Sequence, residues 1–244
     1  MALGEDCGGE AYCGRMKGAL PRSLKALLQR AHIGQAAGAL AGCLPWPSNE
    51  KVFARIYRRR GWQCGESPSG PGSESQRCRD LLDALPQLLR DLHAGSLLDA
   101  GCGDFHWMRE LELDGVQYVG VDVVPPLIAD NRARYGAGQR TFMLADITRD
   151  RLPACDVVLC RQCLIHLPNR QALRALRNFR RCGMRYLLAT TFPAVTRNRD
   201  IWPGGFRAVN LEAAPFHLPR PLRVIEDSGP QPAVLGLWEL GGLG

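Results

Sequence analysis

The sequence predicts an α/β fold with a mostly parallel sheet and helices on both faces, and three observations carry that prediction. Leu97-Leu98-Asp99-Ala100 is a short run that gives way to Gly101-Cys102-Gly103, the pattern of a buried strand ending in a glycine turn. The β-branched run 116–123 then reaches Asp122, 23 positions after Asp99, and the run Thr141–Leu144 leads to Asp146, 24 positions further on. Two more apolar runs follow, Asp156–Cys160 and Arg185–Phe192. Four run-ends at regular spacing, three of them carrying Asp, describe successive strands whose carboxyl ends face one edge.

The glycine turn has a chemical reading. Glycine lets a backbone turn tightly and approach a ligand closely, and a mononucleotide-like ligand sits against such a loop at the carboxyl end of a parallel strand. The spacing is G-x-G, without the further glycine of the dinucleotide fingerprint. An acidic residue about 20 positions beyond the loop is where ribose hydroxyls are bound, and the carboxylate of Asp122 can accept from both. Plainer readings stand beside these. Asp99 could cap a turn, and Asp122 and Asp146 could be ordinary strand-end acids. Gly101 and Gly103 would be needed by the turn in an inert protein too.

Composition narrows the class. The 244 residues suit one α/β domain plus an extension, with 45% hydrophobic residues. The net charge is +7, concentrated in Arg58-Arg59-Arg60 and in Arg177, Arg180 and Arg181; this fits either an anionic partner or a solvated arginine-rich face. Ten cysteines fit reduced thiols in a cytoplasmic protein better than a disulfide framework. Cys160-x-x-Cys163 lacks a second ligand pair, so no metal is expected. No apolar run reaches spanning length, so no membrane segment is expected. Residues 33–43 end Leu40-Ala41-Gly42-Cys43, like a lipoprotein cleavage site, but the basic lead is too long and the apolar core weak.

Along the chain, residues 1–48 read as an N-terminal extension: an unpatterned Gly/Cys-rich start, then a helix over 21–42 that Pro45-Trp46-Pro47 ends. Residues 49–95 read as a helical cap, with a helix over 49–60, a Gly/Ser/Pro-rich loop over 61–73, and a helix over 74–93 capped by Ser73 or Ser75. The loop holds Trp62 and Glu66, which a neutral linker does not need, and runs into a helix N-terminus suited to an anion. It reads as a lid or as a plain connector. Residues 96–244 form the core, ending in strands over 222–227 and 234–240 separated by Gly229-Pro230.

From residue 50 onward the chain resembles a bacterial group of class I S-adenosylmethionine-dependent methyltransferases. The resemblance rests on Phe53–Tyr57, Gly61-Trp62, Glu66-Ser67, Ser69–Ser73, Leu98–Met108, Val119–Asp122, Asp146-Ile147-Thr148, Leu159-Cys160-Arg161, His166-Leu167, Thr190–Phe192, Asn198, Asp200, Arg207, Asn210-Leu211 and Pro215-Phe216. It implies a Rossmann-like fold with a seven-stranded, mostly parallel sheet and an antiparallel last strand. It also implies S-adenosyl-L-methionine as cofactor, held by Asp99, Gly101, Cys102, Gly103, Trp107, Asp122, Val123, Asp146, Ile147 and Cys160, with Asp146 taking the adenine amino group and Ile147 packing on the ring. Cys102 also reads as a small packing residue. One departure is Arg161-Gln162, where the group is expected to carry Arg-Asp, which puts a base at that position in doubt.

Methyl transfer requires alignment of acceptor and methyl carbon and exclusion of water, and needs a base only when the acceptor must lose a proton. His166, after the fourth strand, is the candidate base, or else a packing histidine; Arg161 is a candidate anchor for an acceptor carboxylate or phosphate. Trp62, Glu66, Ser69, Thr191, Asn198, Arg207 and Asn210 are candidate substrate contacts. The long segment 193–220, with Trp202 and Phe216, reads as a cover for the acceptor. The expected partner is a small molecule (a natural-product intermediate or a sugar, methylated on O or N), with the protein a monomer or homodimer. A nucleic-acid methyltransferase is the alternative that the charge suggests. Against it, the chain has no Asn/Asp-Pro-Pro-Tyr/Phe motif to hold a flipped base. A non-catalytic cofactor-binding protein is the third reading.

Overall fold

The computed structural model describes residues 47–62, 65–227 and 232–241. The chain divides into two units, residues 1–47 and 48–244, and the second is the subject below. The expected helix over 21–42, the Gly/Cys-rich start and the cleavage-like segment 33–43 lie outside the described residues.

Seven strands form one sheet: β1 (Ser96–Ala100), β2 (Gln117–Asp122), β3 (Arg140–Leu144), β4 (Val157–Cys160), β5 (Tyr186–Thr191), β6 (Arg223–Asp227) and β7 (Ala233–Glu239). Their order is β3-β2-β1-β4-β5-β7-β6. The pairs from β3 through β5 are parallel, and β7 runs antiparallel between β5 and β6. The expected mostly parallel sheet with an antiparallel last strand is what the chain forms. The order reverses between β1 and β4, the place where α/β sheets open a crevice at their carboxyl ends.

Four helices complete the described residues: α1 (Asn49–Arg58), α2 (Ser75–Asp91), α3 (Pro125–Tyr135) and α4 (Asn169–Arg181). Central strands are apolar on both sides because helices cover both faces. Leu98, Val158 and Leu187 pack with Ala172, Ala175, Leu176 and Phe179 of α4. The alternating neighbours Leu97, Val157 and Leu188 pack with Cys78, Leu81, Leu85, Leu88 and Leu89 of α2. Those leucines of α2 recur at helical spacing on one stripe.

The cap of α2 differs from expectation. Neither Ser73 nor Ser75 supplies a side-chain cap; the carboxylate of Glu66 accepts from the Ser75 backbone N–H at 2.9 Å. A carboxylate at a helix N-terminus satisfies a free amide and suits the helix dipole. At α4 the same service comes from a distance, with the Asn169 N–H donating to Asp200 Oδ1 at 2.7 Å.

Two strand glycines are imposed by rings lying over them. A Cβ on Gly120 of β2 would meet Phe142 at 2.7 Å, and one on Gly236 of β7 would meet the Trp238 ring at 2.3 Å. Trp238 cannot move aside freely, because its indole N–H donates to the Pro219 carbonyl at 2.7 Å. Gly236→Ala is therefore expected to cost about 1–3 kcal/mol through overpacking, read as a lowered urea midpoint at unchanged slope.

Candidate active site

The glycine turn leaves β1 with Gly101 at φ 88° and Gly103 at φ 57°, the left-handed region that glycine tolerates. The backbone amides of Gly101 and Cys102 donate to the Val121 carbonyl, which folds the turn onto β2. Asp122, at the end of β2, accepts from the amides of Gly103 (3.2 Å), Val123 (2.7 Å) and Val124 (3.0 Å). Burial still pushes its carboxyl above the usual range. Three amides do not exhaust a carboxylate, which offers about four lone-pair positions, so Asp122 can hold the turn and accept a further hydroxyl.

Asp99 lies inside β1, buried, accepting from the Tyr118 hydroxyl at 2.8 Å; burial raises its pKa to about 7. Cys102 and Cys160 are buried, with thiols pushed well above the ordinary value, Cys102 mainly by desolvation and Cys160 first by the neighbouring Cys163 thiol. Both are packing groups at neutral pH rather than nucleophiles. Trp107 is buried beneath the Arg161 guanidinium, 5.2 Å from ring centroid to carbon. Ile147 is buried beside Asp146, and its carbonyl accepts from Asn178. Asp146 accepts from Thr148 and from the side-chain amide of Asn49, the first residue of α1.

The 61–73 loop lies against the glycine turn. Ser67 Oγ donates to both Asp104 carboxylate oxygens at 2.9 and 3.0 Å, and Ser69 Oγ donates to Oδ1 at 2.8 Å. The Asp104 amide donates back to Ser69 Oγ at 2.9 Å. Ser69 thus takes the side of Gly103 that a side chain would fill, 2.4 Å from an ideal Cβ. Ser69 belongs to this latch, and Glu66, half exposed, belongs to the cap of α2, with His106 Nε2 3.4 Å away. Both were expected as substrate contacts; in this structure they hold the loop and the start of α2. Asp104 itself was not singled out from the sequence.

Arg161 is also corrected. Its guanidinium, expected to meet an acceptor anion, is buried and fully engaged: Nε and Nη2 donate to Asp227 Oδ1 at 3.0 and 2.7 Å, and Nη1 to the Gly72 carbonyl at 2.6 Å. Gln162 completes the node, donating through Nε2 to Asp227 Oδ2 at 2.9 Å from a left-handed backbone at φ 51°.

His166 does not suit a base. Its Nδ1 stands 2.7 Å from the Gly205 carbonyl. A carbonyl only accepts, so that nitrogen carries the proton and Nε2 the lone pair. Desolvation lowers the imidazole to about 4, well below a useful base near neutral pH. The ring stacks on Trp62 at 4.5 Å between centroids, with Phe53 and Phe206 flanking this pair. It joins the first loop to the 193–220 segment, as the packing reading has it.

The remaining candidates in that segment build the segment itself. Thr191 Oγ1 donates to the Val209 carbonyl and accepts from the Leu211 amide. Asn198 Nδ2 donates to the Asn210 and Ala214 carbonyls, each at 2.8 Å, and Asn210 Nδ2 to that of Val195 at 2.8 Å. Arg207 donates to Asn169 Oδ1 and to the carbonyls of Arg199 and Leu167. Thr191, Asn198, Arg207 and Asn210, expected as acceptor contacts, are all buried and hydrogen-bonded within the protein. The segment leaves outward the rings of Trp202 (60% exposed) and Phe206 (50%) together with the polar side chains of Arg197, Arg199, Asp200 and His217. Phe216, by contrast, is buried.

With this geometry in view, the comparisons with known proteins are informative. The family model described as a methyltransferase domain matches residues 97–183. No curated protein sequence matches the chain. Among solved structures, the fold is similar to magnesium protoporphyrin IX methyltransferase (ChlM) from Synechocystis PCC 6803 with bound SAM, at 15% identity and a TM-score of 0.57, over 80% of this chain and 98% of that one. It is also similar to the 1,6-didemethyltoxoflavin-N1-methyltransferase of Burkholderia thailandensis, at 18% identity and 0.54, over 80% and 91%. A third similar structure is the [4+2]-cyclase SpnF, at 24% identity and 0.50, over 69% and 71%. At these identities the likeness shows the fold alone, and the cyclase makes plain that this fold does not dictate one reaction. Among the described residues, no helix is long and apolar enough to cross a membrane, and no cluster of three or more His, Cys, Asp or Glu side chains is arranged for a metal.

Two expectations follow from this geometry. Asp227→Ala strands a buried guanidinium and is expected to cost about 3–5 kcal/mol, whereas Arg161→Met with Asp227→Leu recovers most of it; denaturant midpoints of the three variants check this. His166 is neutral in the folded protein down to about pH 4, while in the unfolded chain it takes up a proton near 6.5. The unfolded state therefore binds more protons between those values, and the His166 contribution to stability is lost as pH falls through that window. His166→Asn, which can still donate to Gly205, should lose stability less steeply than the wild type across the same window in urea unfolding.

Proposed function

We propose that the protein is an S-adenosylmethionine-dependent methyltransferase acting on a small molecule. The observation that carries the reading is the Gly101–Gly103 turn held over Asp122 at the carboxyl ends of β1 and β2. The donor set fits a nucleoside: Asp122 keeps a lone-pair position for a ribose hydroxyl, and a second buried acceptor, Asn49 Oδ1, lies beside Asp146 with no partner.

When bound, S-adenosylmethionine supplies an electrophilic methyl carbon on a sulfonium. The chain's part is binding, orientation and dryness. Asp122 and the glycine turn hold the nucleoside end. Ser67 and Ser69, latched to Asp104, close the first loop over the turn. Phe53, Trp62, His166 and Phe206 wall the neighbouring space with rings, which favours a close-fitting acceptor and excludes water. Since His166 is a weak base, the site suits an acceptor atom that is already unprotonated near neutral pH, a neutral amine or an acidic hydroxyl, better than a sugar hydroxyl.

Calorimetric titration of S-adenosylhomocysteine tests the reading. The wild type is expected to bind. Asp122→Ala should bind more weakly by about 1–3 kcal/mol, because ribose and turn amides lose their acceptor. Asp122→Asn, which retains an acceptor oxygen, should lose less. Equal binding by all three would remove Asp122 from the cofactor site.

A further inference from the structure

We propose that the side-chain oxygen of Asn49, rather than the carboxylate of Asp146, receives the exocyclic amino group of the cofactor's purine. The inference rests on the cofactor reading above and assigns the contact to a residue outside the methyltransferase domain match. Asn49 opens α1 and is 6% exposed. Its Nδ2 stands 3.1 Å from both carboxylate oxygens of Asp146. That carboxylate is already crowded. Its Oδ1 accepts from the Thr148 amide at 2.9 Å and the Thr148 hydroxyl at 2.7 Å, and its Oδ2 faces Arg149 Nε at 3.5 Å. Three hydrogen bonds thus fall on Oδ1 and one on Oδ2, beside the Arg149 charge, which leaves the carboxylate little capacity to spare.

Asn49 Oδ1, by contrast, is buried and without a hydrogen-bond partner. Native proteins rarely leave such an atom orphaned. Reversing the amide does not relieve it, because the oxygen would then face two carboxylate oxygens. Asp146 therefore fixes which way Asn49 points, and the amide presents one unmet acceptor beside the strand end where the adenine is expected. The complementary group is a neutral N–H donor. A 6-amino purine supplies one; a 6-oxo purine presents an acceptor instead and is rejected; a purine with hydrogen at that position supplies nothing. Asp146 is then a positioning residue acting through Asn49.

The test measures dissociation constants for S-adenosylhomocysteine and its 6-oxo and 6-hydrogen counterparts by calorimetry. The wild type should prefer the 6-amino form over the 6-hydrogen form by at least about fivefold. Asn49→Ala, shown folded by thermal melting, should bring that ratio close to one with Asp146 intact. If Asp146 were the direct reader, Asn49→Ala would free its lone pairs, and the preference would persist or grow; that result overturns the proposal. A second measurement needs no variant. The Asn49 side-chain amide signal in isotopically labelled wild-type protein should shift on binding the 6-amino ligand and stay near its free position with the 6-hydrogen one. Equal shifts with both would overturn it as well. Failure of the wild type to bind any of the three overturns the cofactor reading itself, and this inference with it.

Discussion

The ion pair between Arg161 and Asp227 is the constraint on which the site's shape depends. Arg161 leaves the end of β4 and Asp227 the end of β6, two strands that are not neighbours. Both side chains are buried, so each charge is tolerable only while the other is present. The same guanidinium reaches the Gly72 carbonyl and lies over the Trp107 ring. Gln162 binds the other oxygen of Asp227 through its side chain, and its amide donates to Thr190 Oγ1. One charge pair thus fixes the first loop, the Trp107 ring, the turn after β4 and the far edge of the sheet. Such a pair adds little net stability against an apolar equivalent. Its effect is to allow one arrangement, and the left-handed backbone of Gln162 persists because that arrangement is over-determined.

The first loop is held differently. Its stitches are short polar contacts: Ser67 and Ser69 to Asp104, Glu66 to the Ser75 amide, and Arg161 to Gly72. Each can be exchanged for water at modest net cost. The apolar share comes from Trp62 stacked on His166 and leaning on Phe53. A segment closed mostly by exchangeable hydrogen bonds sits at the low end of local stability, where binding loops are commonly drawn from. The long 193–220 segment is the opposite case, tied internally by Asn198, Asn210 and Arg207 in buried hydrogen bonds. The two covers of the site therefore differ in how readily they can open.

This difference explains what the sequence allowed one to read. Strand positions and the glycine turn are local facts, set by period and by spacing from one run to the next, and they were legible. The polar residues after β4 and β5 were not. Arg161, Thr191, Asn198, Arg207 and Asn210 are residue types that bind substrates, and the same types satisfy backbone groups in a long buried loop. Which use they serve depends on distant chain. Asp227 is 66 residues from Arg161, and Asn49 is 97 from Asp146. No periodicity or motif connects such pairs. Glu66 carried a usable signal, an acid a few residues ahead of a helix whose own serines do not cap it.

The 193–220 segment turns Asn198, Arg207 and Asn210 inward and leaves two large rings exposed beside the charged Arg197, Arg199 and Asp200. Trp202 and Phe206 face outward, and Phe206 stands 6.2 Å from the His166 ring, which continues into Trp62 and Phe53. Recognition by such walls depends on shape and planarity more than on hydrogen bonding. Specificity from apolar fit is modest per group. The same dryness that makes His166 a poor base strengthens every electrostatic contact made inside. On the proposed methyl-transfer reading, a site whose histidine is a weak base is matched to a reaction whose nucleophile arrives with its lone pair ready. That match is why the weakly basic histidine and the ring-lined walls belong to one design rather than two unrelated features.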